Sequence, residues 1–273
     1  MFKNLGLSAL AALTLALPLL TACESSSDTD TDPEPDAKKT YVLVHGAWMG
    51  AWAWESVETE LSAKGAKVLT VELPGHGKDT TPVAEATLAA YAEEVAGAVG
   101  DSGDPVILVG HSMAGMVISR VAEERPDRIA KLVYVGAYLP KSGQSLFDLA
   151  NTDAGSKVGP NFVQNADGTA GIKAEALVEV FCADCDETSA KALTDNYRDE
   201  PLGPLTEPVT LTDAAFGKVK KVYVRTEQDA AVSPALQSTM LAATPVDEEL
   251  TLPTSHSPFL SSPKALADLL GKL

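Results

Sequence analysis

Basic residues are scarce in this sequence of 273 residues. It contains 21 Lys and Arg against 38 Asp and Glu, which gives a formal net charge of −17 at pH 7. Proteins that bind nucleic acid need clustered cations to neutralise phosphates. The composition therefore argues against a nucleic-acid partner, and we interpret the acidity as a solvated surface.

Cysteine is also scarce, with three residues in the whole chain. Cys182 and Cys185 form a Cys-x-x-Cys pair, and the sequence leaves a short disulfide and two free thiols equally open. No second pair of Cys or His lies nearby to complete the four ligands of a zinc site. The sequence therefore predicts no metal site.

The apolar run at the N-terminus is too short to span a membrane. Residues 5–20, interrupted by Pro18, fall below the about 20 residues that a transmembrane helix needs, and Lys3 before them gives the layout of an export signal. The run ends in Leu-Thr-Ala-Cys23. This ending resembles the lipobox of bacterial lipoproteins, in which the cysteine thiol receives diacylglycerol. The alternative is an ordinary signal peptide with an incidental cysteine.

The chain is predicted to have three parts. Residues 1–22 are expected to be a lipoprotein signal peptide, and residues 23–39 the lipidated Cys23 followed by a disordered acidic tether, because 24–36 contain no apolar residue. Residues 40–273 are expected to form the folded domain. The expected location is the bacterial cell envelope, with the lipid anchor in a membrane on the periplasmic or cell-surface side.

Short β-rich runs alternate with helical stretches in the folded domain, a pattern that predicts a parallel sheet with helices on both faces. The predicted strands cover 41–44, 67–71, 106–109, 131–135, 221–225 and 248–252. The predicted helices cover 54–64, 87–99, 115–124, 234–243 and 263–273. Between 139 and about 211 no clear strand is predicted. Since structureless loops of that length are uncommon in compact domains, we interpret this segment as an inserted cap with helices near 174–181 and 187–197.

The sequence around Ser112 carries the strongest chemical signal. An apolar strand runs into Gly110-His-Ser-Met-Ala114 and then directly into a helix. This context is typical of a nucleophile elbow, a sharp turn that needs small residues two before and two after the serine and that projects its hydroxyl at a helix N-terminus. Ala114 stands where Gly is usual, a departure of one methyl group. Ser112 is therefore the predicted nucleophile.

A serine hydroxyl needs a base to take its proton. In folds that carry the serine on a nucleophile elbow, the catalytic residues follow the order Ser, acid, His along the chain. Of the four histidines, only His256 follows Ser112. We interpret His45 and His76 as loop scaffolding and His111 as the variable residue of the elbow. His256 is therefore the predicted base.

The acid is expected on the loop after the strand 221–225. Thr226-Glu-Gln-Asp229 offers two carboxylates there, and we prefer Asp229 over Glu227 because it lies deeper in the loop, where it can orient the imidazole.

Backbone N–H groups are expected to stabilise the oxyanion. The loop after the first strand provides Ala47, and the residue after the nucleophile provides Met113. Gly46 and Trp48, which flank Ala47, are predicted to line the substrate pocket.

Four segments together resemble the methylesterase and hydroxynitrile lyase group of α/β-hydrolases. They are His45-Gly-Ala-Trp-Met-Gly-Ala-Trp52, the Gly110–Ala114 elbow, Thr226-Glu-Gln-Asp229 and Ser255-His-Ser-Pro-Phe259. The similarity extends over 41–273. It implies an α/β-hydrolase fold with a six-stranded, mostly parallel sheet and a helical cap, no cofactor, and Ser112, Asp229 and His256 as a catalytic triad. The cap departs most from the group, and we expect it to set specificity without affecting the chemistry.

Three functions compete at this point. The first is hydrolysis of small carboxylic esters, with a small-molecule ester as partner and the membrane reached only through the lipid anchor. The second is cyanohydrin cleavage. Sequences that resemble the lyases place Lys after the catalytic His and Thr after the first-strand His, where this chain has Ser257 and Gly46, so hydrolysis is preferred. The third is non-catalytic binding of a small ligand by a lipoprotein, because a fold does not imply a function.

Overall fold

The structure, a computed structural model, describes residues 39–273. The predicted signal peptide, Cys23 and the tether up to residue 38 lie outside the described residues. Within 39–273, no helix has the length and apolar character to cross a bilayer. The same residues include no cluster of three or more His, Cys, Asp or Glu side chains that could hold a metal ion.

Nine strands lie in the described part of the chain. They are β1 (Thr40–Val44), β2 (Lys67–Val71), β3 (Val106–His111), β4 (Ile129–Val135), β5 (Phe162–Gln164), β6 (Thr169–Ile172), β7 (Glu200–Pro201), β8 (Lys221–Thr226) and β9 (Glu248–Leu252). Six of them form one sheet in the order β2-β1-β3-β4-β8-β9, and every pair is parallel. The predicted six-stranded parallel sheet is confirmed. Every residue of the central strand β3 is buried, as expected for a strand covered on both faces.

Eleven α-helices lie within residues 39–273; seven of them match predicted helices to within a few residues, and the other four, each four or five residues long, were not predicted. The eleven are α1 (Glu55–Ala63), α2 (Leu88–Val99), α3 (Ala114–Glu124), α4 (Leu146–Ala150), α5 (Val158–Asn161), α6 (Leu177–Phe181), α7 (Glu187–Asn196), α8 (Leu202–Thr206), α9 (Pro234–Ala243), α10 (Pro258–Ser261) and α11 (Pro263–Leu270). Helix α1 packs against α11, and α2 packs against α3. Local signals set their starts: the Thr87 hydroxyl caps α2, and the Ser233 hydroxyl followed by Pro234 begins α9.

The segment between β4 and β8 forms the cap, with α4 to α8. The two helices predicted there are present as α6 and α7. The absence of strands was a wrong expectation, because β5, β6 and β7 form a small antiparallel sheet. These strands are two to four residues long, too short for an alternating pattern to show in the sequence.

Gly115, in the first turn of α3, allows this helix to lie directly against the segment after β4. A Cβ atom at Gly115 would overlap the carbonyl oxygen of Tyr138. The Tyr138 N–H in turn donates to the Ser112 carbonyl over 3.1 Å. Backbone packing at this point therefore leaves no room for a side chain.

We predict that Gly115→Ala destabilises the protein by about 3 kcal/mol, because backbone atoms cannot yield as a flexible side chain can. Gly97→Ala is the matched control. Gly97 lies in α2 with open space around its Cβ position, and alanine there should stabilise the protein by about 0.5–1 kcal/mol. Urea-induced unfolding measures both, and equal effects would contradict the packing at Gly115.

Candidate active site

Ser112 lies at the junction of β3 and α3 in a strained backbone conformation. Its φ angle is +54°, a value that is uncommon for any residue with a side chain. The conformation is held by three backbone hydrogen bonds: the Ser112 N–H donates to the Val135 carbonyl over 3.3 Å, and the Ser112 carbonyl accepts from Gly115 and Tyr138, each over 3.1 Å. The turn therefore has the geometry of the predicted elbow.

Ser112 opens into a cavity of about 530 Å³ between the sheet and the cap. Most of the lining is apolar, and none of the lining residues is Lys, Arg or His. The one charged lining residue is Asp153, whose carboxylate accepts hydrogen bonds from the backbone N–H groups of Gly155 and Ser233. The lining residues with the largest apolar side chains are Trp48, Met113, Tyr138, Leu146, Phe147, Phe162, Phe181 and Leu205. The cavity therefore suits an uncharged molecule.

Asp229 and His256 are brought together from the loops after β8 and β9. The His256 Nδ1 lies 2.8 Å from Asp229 Oδ2, and both side chains are buried. The other Asp229 oxygen accepts from the backbone N–H groups of Ala231 and Val232, and the Thr226 hydroxyl donates to Oδ2. The carboxylate is thus fixed by four donors. The competing candidate, Glu227, is exposed.

His111 joins the Ser112 turn to the His256 loop, defined here as residues 254–257. The His111 Nε2–H donates to the His256 carbonyl over 2.8 Å, and the two rings lie 4.4 Å apart. Complete burial, reinforced by the proximity of His256, lowers the pKa of His111 well below its ordinary value. The ring is therefore neutral and acts as a fixed hydrogen-bond donor. The sequence treated His111 only as the variable residue of the elbow.

The predicted oxyanion donors lie beside Ser112 and are free to bind a ligand. Ala47 and Met113 both line the cavity. Among residues 39–273, neither backbone N–H donates a hydrogen bond to another group. Gly46 lies against the same turn, and a Cβ there would come within 2.8 Å of both Ser112 Cβ and His111 Nδ1. A larger residue at Gly46 would have to displace the serine.

His45 and His76 are both buried and hydrogen bonded, as expected for scaffolding. The His45 Nε2 accepts from the Leu73 N–H over 3.1 Å. Burial, with a smaller contribution from His76, lowers the pKa of His45 to about 3. His45 is therefore neutral and holds the end of β1 against the segment after β2.

Trp48 attaches the loop after β1 to the cap through three hydrogen bonds. Its N–H donates to Glu200 Oε2 over 3.1 Å, its carbonyl accepts from the Arg198 N–H over 3.1 Å, and its indole N–H donates to the Ala170 carbonyl over 2.8 Å. Its φ angle is +63°, so the contacts maintain a strained conformation next to Ala47. Trp48 lines the cavity, whereas Gly46, the other residue predicted to line it, is not among its lining residues.

Glu200 is fully buried at the centre of this connection. Besides the Trp48 N–H, it accepts from the Tyr91 hydroxyl over 3.1 Å and lies 2.6 Å from His76 Nε2. Burial lowers the pKa of His76, but the Glu200 carboxylate, together with the Pro74 carbonyl and Glu72, outweighs burial, so the net pKa lies above the ordinary value. His76 therefore keeps its proton to a higher pH than a free imidazole does.

The sequence did not identify His111, Glu200 or Asp184 as site residues. Asp184, in the cap, accepts hydrogen bonds from Ser255, the residue before His256. The one sequence feature that could have indicated a role for Asp184 was its position between Cys182 and Cys185. No sequence feature marked Glu200. Cap side chains thus contact the loops that carry both Ala47 and His256.

Comparison with known proteins identifies the family and the fold. Residues 41–269 match the alpha/beta hydrolase family. The chain is 29% identical over 243 residues to "Putative methylesterase 11, chloroplastic" of Arabidopsis thaliana, a match that covers 84% of this chain and 62% of that protein. It is 30% identical over 259 residues to "Methylesterase 7" of Arabidopsis thaliana, covering 85% and 95%. The chain thus spans less than two thirds of the first of these relatives.

A solved structure shares the fold. The crystal structure of polyneuridine aldehyde esterase aligns with a TM-score of 0.78 and 22% identity, covering 86% of this chain and 98% of that one. At this identity the likeness concerns the fold alone. The fold class expected from the sequence is confirmed.

We predict that Glu200→Gln destabilises the protein mainly at low pH. The pKa of His76 is higher in the folded protein than in the unfolded chain. Protonated His76 therefore stabilises the fold fully below the unfolded-state pKa of about 6.5, and this stabilisation is lost as pH rises through the folded-state pKa. The loss should be about 2–3 kcal/mol at about pH 5.5 and smaller at about pH 9. Urea unfolding at both values measures it. Glu175→Gln removes the same charge from an exposed cap position and should have little effect; a loss at Glu200 that is independent of pH would refute the charged pair.

Proposed function

The chain belongs to the alpha/beta hydrolase family, and we propose that it is a serine carboxylic-ester hydrolase acting on small uncharged esters. The observation that carries this proposal is the surroundings of Ser112. A strained serine opens into a mostly apolar cavity beside two backbone N–H groups that have no other partner within residues 39–273. Two such donors suit the oxyanion of a tetrahedral intermediate.

In the proposed reaction, the Ser112 hydroxyl attacks the ester carbonyl while His256 takes its proton. The His256 Nδ1–H donates to Asp229, which leaves Nε2 as the acceptor and stabilises the imidazolium that forms. The N–H groups of Ala47 and Met113 hold the oxyanion. His256 then protonates the departing alcohol, and water hydrolyses the acyl-enzyme by the same steps.

Cyanohydrin cleavage is a weaker candidate on electrostatic grounds. A leaving cyanide carries charge, yet the cavity lining has no cationic residue and the residue after His256 is Ser257. An uncompensated charge in a dry site is costly. The close contacts around Gly46 also leave no room for the threonine that sequences resembling the lyases carry there.

Turnover of a panel of aryl esters with different acyl and alkyl sizes tests the function. We expect hydrolysis by the wild type and a kcat lower by about 10⁶ in Ser112→Ala. Asp229→Asn should cause a large loss, whereas Glu227→Gln, which removes an exposed carboxylate from the same loop, should change little. Absence of turnover would favour the non-catalytic binding function. Cyanide release from mandelonitrile that depends on Ser112 would favour the lyase.

We further propose that Cys23 anchors the protein to a membrane of the bacterial cell envelope. The Leu-Thr-Ala-Cys23 sequence after an apolar run supports this proposal. Metabolic labelling with a palmitate analogue should mark the wild-type protein, and Cys23→Ser should abolish labelling and leave uncleaved precursor. Cys182→Ser, which changes another cysteine, should still be labelled. Labelling of Cys23→Ser would overturn the anchor.

A further inference from the structure

The turn that links α6 to α7 in the cap is closed by a disulfide. Cys182 and Cys185 are bonded through sulfur, their Cα atoms lie 5.2 Å apart, and the Cys185 N–H donates to the Cys182 carbonyl over 3.0 Å. Cys182 is buried in the core. The third residue of this turn is Asp184, so the disulfide and the hydrogen bond together fix the backbone that carries its carboxylate.

The Asp184 carboxylate binds both polar groups that Ser255 offers as donors. Asp184 Oδ2 accepts from the Ser255 N–H over 3.0 Å, and Oδ1 accepts from the Ser255 hydroxyl. Ser255 is fully buried and directly precedes His256. A residue of the cap therefore fixes the backbone immediately before the proposed catalytic base.

The His256 loop has few other side-chain anchors. Its backbone is held by Gln228, whose N–H donates to the Thr254 carbonyl, and by His111 at the His256 carbonyl. The hydroxyls of Thr254 and Ser257 are buried and have no partner within the described residues. Loss of Asp184 would leave two buried Ser255 donors unpaired, and such a loop would shift to find new partners.

We expect the disulfide to restrain the backbone of its own turn rather than to stabilise the whole fold. A disulfide that closes a short loop removes little entropy from the unfolded chain, because its stabilising effect grows with loop length. Its effect falls instead on the turn that carries Asp184. Phe181, next to the disulfide, lines the cavity and lies 5.9 Å from the His256 ring, so the turn faces the loop it holds.

We propose that Asp184 is a positioning residue for His256 and that the Cys182–Cys185 disulfide holds Asp184 in place. This inference rests on the proposed function for the role of His256. It assigns to the cap a part in turnover, separate from the shape of the cavity.

Steady-state kinetics on an ester that the wild type hydrolyses test the proposal. Asp184→Ala should lower kcat about tenfold with KM changed less than about twofold, since a small displacement of a catalytic group costs rate more than binding. Asp184→Asn, whose amide oxygen can still accept from the Ser255 N–H, should retain most of kcat. Glu187→Gln, an exposed carboxylate at the start of α7, is the matched control and should behave as wild type. A wild-type kcat in folded Asp184→Ala would overturn the proposal.

Proton NMR gives a second readout that does not require a substrate. The His256 Nδ1 proton, hydrogen bonded to Asp229, should resonate downfield of the backbone amides, and Asp229→Asn identifies the signal by removing it. Asp184→Ala should broaden or abolish this signal, while Asp184→Asn and Glu187→Gln should keep it. If the wild type hydrolyses no ester, the proposed function fails and this signal still tests the positioning. An unchanged signal in Asp184→Ala would contradict it.

The disulfide is tested by dithiothreitol. This dithiol would transfer two electrons and two protons to the Cys182 and Cys185 sulfurs, becoming a cyclic disulfide itself. Reduction should lower kcat, and the double variant Cys182→Ser/Cys185→Ser should have the lower kcat from the start and no response to dithiothreitol. A folded double variant with wild-type kcat would contradict the role given to the disulfide.

Discussion

The left-handed backbone at Ser112 is the constraint on which the rest of the site depends. A residue with a side chain at a φ angle of +54° is stable only where neighbouring groups determine its conformation. Here the Ser112 turn is bonded to the backbone at Val135 and Tyr138, and Gly46 and Gly115 lie so close that neither can carry a side chain without displacement. Backbone groups at the ends of two strands, β1 and β4, therefore hold the strained turn in place.

The same packing places the chemistry at one edge of the sheet. Parallel strands end together, and the loops after β1, β3, β8 and β9 carry the oxyanion donors, the serine, the acid and the histidine of the proposed site. His111 shows how closely these loops are coupled, because it precedes the serine in the chain and binds the carbonyl of His256. Any shift of the turn at Ser112 would be transmitted to the histidine.

The cap is held to this edge by two carboxylates rather than by apolar contact alone. Glu200 binds the backbone N–H of Trp48, directly after Ala47, and Asp184 binds Ser255, directly before His256. Both carboxylates accept hydrogen bonds from buried residues of the loops that carry Ala47 and His256. The position of the cap and the positions of the two loops therefore depend on each other. A cap attached in this way does more than shape a cavity, since its residues help to hold groups that the proposed reaction uses.

The sequence alone determined the features that depend on neighbouring residues. Short β-rich runs located the six main strands, the helical stretches between them located the main helices, and the small residues around Ser112 indicated the elbow. Only the tertiary structure decided which distant groups meet. The contacts of His111 with His256, His76 with Glu200 and Asp184 with Ser255 span 145, 124 and 71 residues of chain, and no local pattern encodes them. The pairing of Cys182 with Cys185, which spacing left open, was likewise decided by the turn between α6 and α7, and the small cap sheet by strand pairings too short to leave a period in the sequence.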